Sequence, residues 1–527
     1  MKNIRFSKIS SILFLVLIFL LFLKIDFRFE EGIFCCGDDH DYYAHAETIV
    51  VDFDFDYSNQ FFGNENRRFN LNGKIAPKGF FGSGLLAAPF LFLGVIFENI
   101  SNSLFSNPFN SFMNYKLFFY SMSAPSYFFI TTYLLFSIFK LNKINVSPFN
   151  ILLLLSSSGV AYFAFERFSM THVYEVFTVT LIFYNSFNFY ISENKNKYGL
   201  FTAFAILLAF LVRMVNYYII FIPLIVKFLL NKKTKINIYS NSFFLFGSLI
   251  SIFIFIFLSL NIYGIISINP ETLYGQKGVL NNFISSENLF DFILLNLKNT
   301  FIVIFGKEFG LLWFSPILIY GPLMLLFKYK KYNKMQLLIL FIPFVQSMGA
   351  VLLWQSTASS YGFRYLYSLA PVAIIYYYFN IDNLRYLWFD NALKIFCIFS
   401  LVSILFFETT ELTQLSLTPE INSFGRNLRY VEPNYLIGYI NSFLVLDSYL
   451  KIFTTSFLGI ITFKLLFLIF GTSSMINIFE NLGLPTNNSD FINLTSEIEL
   501  VSFTKLLLVI IYFIVISKFF LDKQKAF

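Results

Sequence analysis

The sequence contains little charge and few cysteines for its length. Of its 527 residues, 13% are charged and three are cysteines. Cys35 and Cys36 are adjacent and Cys397 lies in an apolar segment, which leaves too few ligands at suitable spacing for a zinc site. No internal repeat, low-complexity linker or soluble domain of useful size interrupts the chain. What it does contain is 57% hydrophobic residues, more than one soluble core of this length requires.

The apolar residues are grouped in blocks that are long enough, or nearly so, to cross roughly 30 Å of hydrocarbon. Examples are residues 11–23, 243–260, 311–327 and 506–520. The first block follows three basic residues, and no small-residue cleavage site comes after it, so we interpret it as a retained first span. We therefore predict an all-α polytopic membrane protein with about twelve transmembrane helices and a structured first outer loop.

The basic residues predict the orientation of the chain. The net charge of +7 lies in short clusters between apolar blocks, where Lys and Arg mark cytoplasmic loops and imply no nucleic-acid partner. We expect the protein to lie in the cell inner membrane with its amino terminus in the cytoplasm. The 26–78 loop and five later loops then face the periplasmic side. This alternation requires residues 79–97 to form a juxtamembrane or re-entrant helix on the outer side, and residues 451–470 not to span.

The first outer loop holds acidic residues more densely than any other segment. Asp38, Asp39 and Asp41 precede Tyr42 there. Carboxylates accumulate on outer loops without a functional cause, but interleaved aromatic residues beside a membrane are typical of a structured, half-buried surface. A carboxylate that loses hydration there gains proton affinity, which suits Asp38 or Asp39 to act as a general base toward a hydroxyl.

A second acidic group, Asp52, Asp54 and Asp56, alternates with aromatic residues. An EF-hand loop needs Gly at its sixth position and Glu at its twelfth, whereas this chain has Tyr57 and Gly63 there. The period of two favours an extended segment with one face wet. We predict no metal site, with a bound divalent cation as the alternative.

Three cations fall on the same outer face by this topology. Lys78 precedes the 79–97 helix, Arg213 lies between two apolar runs, and Arg364 lies in the segment Tyr361-Gly362-Phe363-Arg364-Tyr365. Each alone is better explained by a salt bridge or by snorkelling to head groups. Their convergence favours a shared anion such as a lipid phosphate, which Arg binds bidentately and Lys as a point charge.

Glu166 and His172 share the next outer turn. We predict a second-rank role for them, and for Asp41 and Tyr42, either in holding an acceptor or in contacting the first-loop carboxylates.

The segment Gly37-Asp38-Asp39-x-x-Tyr42 resembles the Asp-Glu-x-x-Tyr signature in the first periplasmic loop of GT-C glycosyltransferases, the superfamily of protein mannosyltransferases and lipid A aminoarabinose transferases (family 39-like). The likeness continues in order through Asp54-x-Asp56, Pro77-Lys78-Gly79, Gly82-x-Gly84, Ala88-Pro89-Phe90, Arg213, Ser315-Pro316 and Tyr361-Gly362-x-Arg364-Tyr365. The chain departs from the pattern at Asp39, where Glu is common, and at Pro-Lys-Gly, where Lys-Pro-Pro or Pro-Pro-Leu-Gly is common. The residues after about Pro371 are not covered.

This resemblance implies a GT-C-like fold and an inverting glycosyl transfer. Asp38 is the implied base, while Lys78, Arg213 or Arg364 would stabilise charge on the departing lipid phosphate. Direct attack on the anomeric carbon inverts it. The implied partners are a polyprenyl-phosphate-linked sugar donor, a glycan, lipid or protein acceptor, and membrane lipids, with no cofactor.

Two other functions stay open as alternatives. A lipid-linked glycan flippase would favour internal repeats and midplane polar residues, and a polysaccharide polymerase or ligase usually has its catalytic loop late in the chain. We expect residues 1–407 to form the catalytic module, with the first outer loop at 25–98. Residues 408–527 would supply a carboxy-terminal outer loop, a re-entrant segment and the last span.

Overall fold

The computed structural model describes residues 8–25, 37–61, 75–77, 79–104, 115–230, 236–269, 289–307, 309–354, 361–381, 387–407, 420–421, 427–428, 435–446, 448–449, 452, 456–483 and 500–525. These residues are mainly helical. The helices are α1 Lys8–Leu23, α2 Gly37–Glu47, α3 Phe81–Leu104, α4 Tyr115–Leu141, α5 Pro148–Leu155, α6 Ala161–Phe165, α7 His172–Ile191, α8 Lys195–Val212, α9 Ile222–Leu229, α10 Ser242–Leu258, α11 Leu289–Phe305, α12 Leu311–Phe314, α13 Ile317–Phe327, α14 Lys334–Trp354, α15 Ala370–Asn380, α16 Leu387–Leu405, α17 Tyr435–Ser442, α18 Phe457–Phe470, α19 Thr472–Asn481 and α20 Leu500–Lys525.

Shorter elements join these helices. Single π-helical turns cover Thr48–Asp52, Ser156–Val160 and Ser259–Tyr263, and 3₁₀ turns cover Tyr217–Phe221, Ile238–Ser240, Tyr329–Lys331 and Arg364–Leu369. The strands β1 Glu420–Ile421 and β2 Asn427–Leu428 form one antiparallel pair.

Eight of the described helices are long and apolar enough to cross a membrane, and the pair α18 and α19 would make a ninth if it were one span. Three shorter apolar helices accompany them. The protein is therefore an all-α multi-pass membrane protein. The number of about twelve spans is not established by helix length and composition and stays a prediction.

The predicted 79–97 helix corresponds to α3, which runs on to Leu104 and is among the eight helices that could span. Its predicted placement along the outer face stays a prediction. The chain bends by 114° between α18 and α19, at Gly471 with a φ of 81°. A bend of this size suits either a broken span or the predicted re-entrant segment.

Local sequence signals explain where several helices begin. Pro148 occupies the first turn of α5, and the side chain of Ser147 caps that helix by accepting a hydrogen bond from Asn150 N. Asn241 caps α10 in the same way, accepting from Phe243 N and Phe244 N. Such caps satisfy backbone donors that have no partner inside the helix.

Helices α3, α4, α7 and α8 pack in a closed ring, and α10 packs on the outside of α8. Buried aromatic and aliphatic side chains fill the space between them. The helices after residue 408 pack on the same bundle: Phe457 N donates to Ile25 O, and the Tyr512 ring lies 5.8 Å from that of Phe22. The predicted division at residue 407 stays a prediction.

Candidate active site

The turn of residues 166–172, between α6 and α7, is the place where buried charges from four parts of the chain meet. Glu166, Arg167 and His172 are each at most 4% exposed. Charged and polar groups that are so well removed from water need partners. The turn finds them in the end of α1, in α2, in α7 itself and in the residue that follows α8.

Asp39 of α2 is held by this turn. Ser169 Oγ donates to Asp39 Oδ1 at 2.5 Å, and Arg167 Nη2 lies 3.6 Å from Asp39 Oδ2. Asp39 is completely buried, whereas its neighbour Asp38 is exposed. Two adjacent carboxylates therefore have opposite environments, since Asp39 is engaged in a buried ion pair and Asp38 is open to solvent.

A second buried ion pair fastens the turn to the end of α1. Lys24 Nζ lies 2.9 Å from Glu166 Oε2, and both side chains are at most 5% exposed. Separating such a pair leaves an uncompensated charge in an apolar environment, which is strongly destabilising. The pair therefore fixes where the first outer segment leaves the membrane-spanning bundle.

Arg213 follows the last residue of α8 and reaches the same turn. Its Nη1 lies 3.4 Å from Thr171 Oγ1, 3.2 Å from His172 Nδ1 and 3.5 Å from Glu175 Oε2. Glu175 is on the first turn of α7 and also accepts from Asn216 Nδ2. A buried carboxylate thus compensates the charge of Arg213 and accepts a hydrogen bond from Asn216 on its other oxygen.

Arg364 lies beside this network at the start of the 3₁₀ turn Arg364–Leu369. Its guanidinium carbon is 5.7 Å from the centre of the Tyr365 ring, and that of Arg213 is 4.2 Å from the same centre. Both distances are within cation–π range. The ring of Tyr365 therefore links two of the three predicted phosphate-binding cations.

The backbone at Gly362 sets the position of Arg364. Gly362 has a φ of 66°, a left-handed conformation that glycine adopts without the penalty a Cβ imposes. A Cβ there would lie 2.1 Å from the hydroxyl oxygen of Tyr367. That hydroxyl donates to Tyr361 O, so the turn before Arg364 is closed by a buried hydrogen bond.

Close backbone approach explains the Gly82-x-Gly84 motif. A Cβ on Gly82 would lie 2.4 Å from Leu211 C and from Val212 N, and one on Gly84 would lie 2.4 Å from His45 Cβ. The start of α3 is therefore wedged between α2 and the end of α8. This contact places the acidic helix α2 and Arg213 on either side of one helix end.

Hydrogen bonds lock α2 against the start of α3. Gly79 N donates to Asp41 Oδ2 at 3.1 Å, and His45 bridges Gly79 O at 3.0 Å and the Tyr57 hydroxyl at 2.8 Å. Burial lowers the pKa of His45 to about 4, so its ring is neutral near pH 7. Tyr42, packed beside Gly79, belongs to the same contact.

The expectation of an extended segment at Asp52, Asp54 and Asp56 is wrong. Asp52 ends the π-helical turn, and Phe53 follows in a left-handed conformation with a φ of 60°. Asp54 and Asp56 cap local turns, since Asp54 Oδ1 accepts from Asp56 N and Asp56 Oδ1 accepts from Ser58 N. Short-range hydrogen bonding by Asp side chains competes here with strand formation.

The predicted residues divide into three groups. Asp39, Glu166, His172 and Arg213 are brought together around one turn, and Arg364 adjoins them through Tyr365. Asp41 and Tyr42 contact Gly79 and serve to hold α2 in place. Asp38 is exposed, and Lys78 lies outside the described residues.

The sequence analysis did not select several residues that complete the candidate site. The clearest signal was available for Glu175, which stands three residues after His172 at one end of an apolar helix, where an ionisable group needs a partner. Tyr365 and Lys24 carry no comparable signal. In the part of the chain that the structure describes, no group of three or more His, Cys, Asp or Glu residues could hold a metal ion.

No family model and no curated protein matches this chain. Among solved structures, it is similar to the Archaeoglobus fulgidus oligosaccharyltransferase in complex with Zn and sulfate, with 15% identity over 80% of this chain and 59% of that chain and a TM-score of 0.40. It is also similar to the apo form of that enzyme, with 15% identity over 85% of this chain and 56% of that chain and a TM-score of 0.39. A third similar structure is the archaeal oligosaccharyltransferase AglB from Archaeoglobus fulgidus in complex with an inhibitory peptide and a dolichol-phosphate, with 13% identity over 78% of this chain and 59% of that chain and a TM-score of 0.33. The chain spans less than two thirds of the length of these enzymes. Likeness at this level carries no argument about donor, acceptor or mechanism.

Proposed function

We propose that this protein is a GT-C-type membrane glycosyltransferase that moves a sugar from a polyprenyl-phosphate donor to an acceptor hydroxyl on the outer face of the inner membrane. The observation that carries the proposal is the turn of residues 166–172. This one buried turn contacts both the acidic helix α2, through Asp39, and the cation Arg213. Helix α2 also carries Asp38, the proposed base, and Arg213 shares the Tyr365 ring with Arg364. The helix of the base and the cations of a phosphate site therefore meet at one place, as this transfer requires.

In the proposed reaction, Asp38 accepts the proton of the acceptor hydroxyl while the hydroxyl oxygen attacks the anomeric carbon. The bond from that carbon to the phosphate oxygen breaks, and the lipid phosphate leaves as an anion without a general acid. Attack from the face opposite the leaving group inverts the anomeric centre. Asp38 is exposed, so the loss of hydration expected from the sequence does not apply to it. Its accessibility supports the role instead, because a base must reach an incoming substrate.

The charge around Tyr365 supports phosphate binding. Arg213 and Arg364 bring two positive charges to one ring, whereas Glu175 brings one negative charge. Among the described residues, no carboxylate pairs with Arg364, and an uncompensated charge at the edge of a membrane bundle is unfavourable. A phosphate monoester or diester would complete the balance, and Lys78 is proposed to add a further point charge.

The direct test compares two carboxylates of the first outer loop. Membranes containing the wild-type protein, Asp38→Asn or Asp56→Asn would be supplied with a panel of radiolabelled polyprenyl-phosphate hexoses and pentoses. We expect Asp38→Asn to lower transfer to a non-extractable acceptor by about 100-fold or more, since general bases contribute on that scale. Asp56→Asn is the matched control, because Asp56 Oδ1 caps a local turn by accepting from Ser58 N, and it should retain activity.

Two outcomes of this test contradict the proposal. Transfer that is unchanged in Asp38→Asn removes the base from the mechanism. Label that crosses the bilayer while still attached to its carrier indicates a flippase.

The proposed orientation has its own test. A reporter fused after Lys330, in the turn between α13 and α14, should be active only in the cytoplasm, because basic loops stay inside. Periplasmic activity of that reporter would reverse the loop assignment on which the outer-face site depends.

A further inference from the structure

The charges of Arg213 and Arg364 are compensated to different extents. Arg213 is 8% exposed, and its Nη1 lies near the carboxylate of Glu175, the ring nitrogen of His172 and the hydroxyl of Thr171. Glu175 is itself 1% exposed and is held by Asn216. Arg213 therefore sits in a buried network in which a carboxylate already balances its charge.

Within the residues that the structure describes, Arg364 has no such carboxylate. It is half-buried, and its Nε atom is buried without a hydrogen-bond partner in the described part of the chain. The contact that the structure does give it is the face of Tyr365 at 5.7 Å. A half-buried guanidinium in this state needs an anion to satisfy its donors.

The ring of Tyr365 contacts the guanidinium groups of both Arg213 and Arg364, so a shift of one arginine affects the other. Its ring centre lies 4.2 Å from the guanidinium carbon of Arg213, which is fixed by Glu175. The backbone that leads into Arg364 is fixed by the turn at Gly362, which a hydrogen bond from the Tyr367 hydroxyl to Tyr361 O closes. The position of the Tyr365 ring, and with it that of the Arg364 guanidinium, therefore depends on the Glu175–Arg213 ion pair.

We infer that the two arginines have separate tasks, with Arg364 binding the donor phosphate and Glu175, Arg213 and Tyr365 acting as positioning residues that hold Arg364 toward it. This inference rests on the proposed function, because it specifies which residue of the proposed transferase contacts the donor phosphate. It changes the sequence-based expectation, because Arg213 no longer needs to contact the donor.

The test is binding of radiolabelled farnesyl phosphate to the full-length protein in nanodiscs, with farnesol as the uncharged competitor. Arg364→Gln should weaken binding by about 30-fold, the scale of a lost hydrogen bond to a charged group. Its unfolding temperature should stay that of the wild type. Wild-type affinity in Arg364→Gln would overturn the inference.

Arg213 is tested as a pair with Glu175. Arg213→Gln alone leaves a buried, unpaired carboxylate next to the binding site, so both the unfolding temperature and the affinity for farnesyl phosphate should fall. Adding Glu175→Gln removes that carboxylate charge and should restore most of the unfolding temperature and part of the affinity, the remaining loss being the missing contact between Arg213 and the Tyr365 ring. If Arg213 contacts the phosphate directly, the double variant will bind no better than Arg213→Gln, and the inference fails.

Tyr365 gives a test that leaves the ion pair intact. Tyr365→Phe keeps the ring and should bind farnesyl phosphate like the wild type, whereas Tyr365→Leu removes the ring and should weaken binding by about 5- to 10-fold, within the range of a cation–π contact. Equal affinities of the Phe and Leu variants would overturn the positioning role.

These binding measurements are independent of sugar transfer. If the variants behave as expected while Asp38→Asn transfers sugar normally, the proposed reaction fails and the phosphate site stands. If the wild-type protein binds farnesyl phosphate no better than farnesol, the phosphate site itself fails, whatever the transfer assay shows.

Discussion

Asp38 and Asp39 are adjacent in the sequence and have opposite surroundings. Asp39 is completely buried and is paired with Arg167, while Asp38 is exposed at the start of the same helix. Arg213 and Arg364 repeat the contrast on the other side of the candidate site. One member of each pair is held in a buried ion pair, and the other is the one that we propose meets the substrate.

This contrast teaches that buried charges at the ends of the helices have a structural purpose that is distinct from the proposed substrate chemistry. The buried pairs Lys24–Glu166, Arg167–Asp39 and Arg213–Glu175 tie distant segments to the 166–172 turn and its neighbour α7. Buried pairs contribute little net stability against apolar replacements, but their disruption is costly. They therefore fix geometry, and substrate chemistry is left to groups that they do not neutralise.

The largest expected effect on stability comes from Asp39. Asp39→Ala leaves Arg167 without its carboxylate in a buried site, which should lower the free energy of unfolding by about 3–5 kcal/mol. The matched change Asp38→Ala should alter it by less than about 0.5 kcal/mol, as exposed positions usually do. Thermal unfolding of the purified proteins in one detergent measures both values.

Equal losses of stability in the two alanine variants would mean that both carboxylates are structural. A restoring change sharpens the comparison. Because Arg167→Met replaces the unpaired charge with an apolar side chain of similar length, Asp39→Ala together with Arg167→Met should recover part of the loss.

A smaller effect is expected at Gly82, where α3 touches the end of α8. In Gly82→Ala the new Cβ would lie 2.4 Å from two backbone atoms, so the helices must separate, at a cost of about 1–3 kcal/mol. Gly349→Ala is the control, because a Cβ there meets nothing within 4 Å and alanine favours the helix of α14 by about 1 kcal/mol. Chemical denaturation of both variants gives the comparison, and a neutral Gly82→Ala would contradict the close packing.

The sequence was sufficient for features that depend on local composition. The helix predicted at 79–97 is present as Phe81–Leu104, since a long apolar run specifies a membrane helix by itself. The membrane class follows from the same reading of apolar blocks. The position of Glu166, His172 and Arg213 on the outer face stays a prediction.

Features that depend on tertiary contacts were not predictable. The partner of Arg213 is Glu175, 38 positions earlier in the sequence, and the partner of Asp39 is Arg167, 128 positions later. No spacing rule connects such residues. The alternation at Asp52, Asp54 and Asp56 misled for a different reason, because turn-capping hydrogen bonds of the Asp side chains outweighed the strand-like pattern.

The smallest expected effect is a pH dependence at His45, the residue that locks α2 onto Gly79. Burial lowers the pKa of His45 to about 4 from an ordinary value of 6.5. Between these values the unfolded chain binds a proton that the folded protein does not. Stability is therefore fully present above pH 6.5 and falls as the pH decreases toward 4.

We expect the free energy of unfolding to decrease by about 1 kcal/mol between pH 6.5 and pH 5.5, close to the free energy that corresponds to a shift of one pKa unit. Thermal unfolding across this range measures it. In His45→Gln the slope attributable to this group should disappear, although the variant will be less stable at every pH because the bridge between Tyr57 and Gly79 is altered. An unchanged slope in His45→Gln would show that His45 is not the titrating group. The lock between α2 and α3 would then be independent of the protonation of His45.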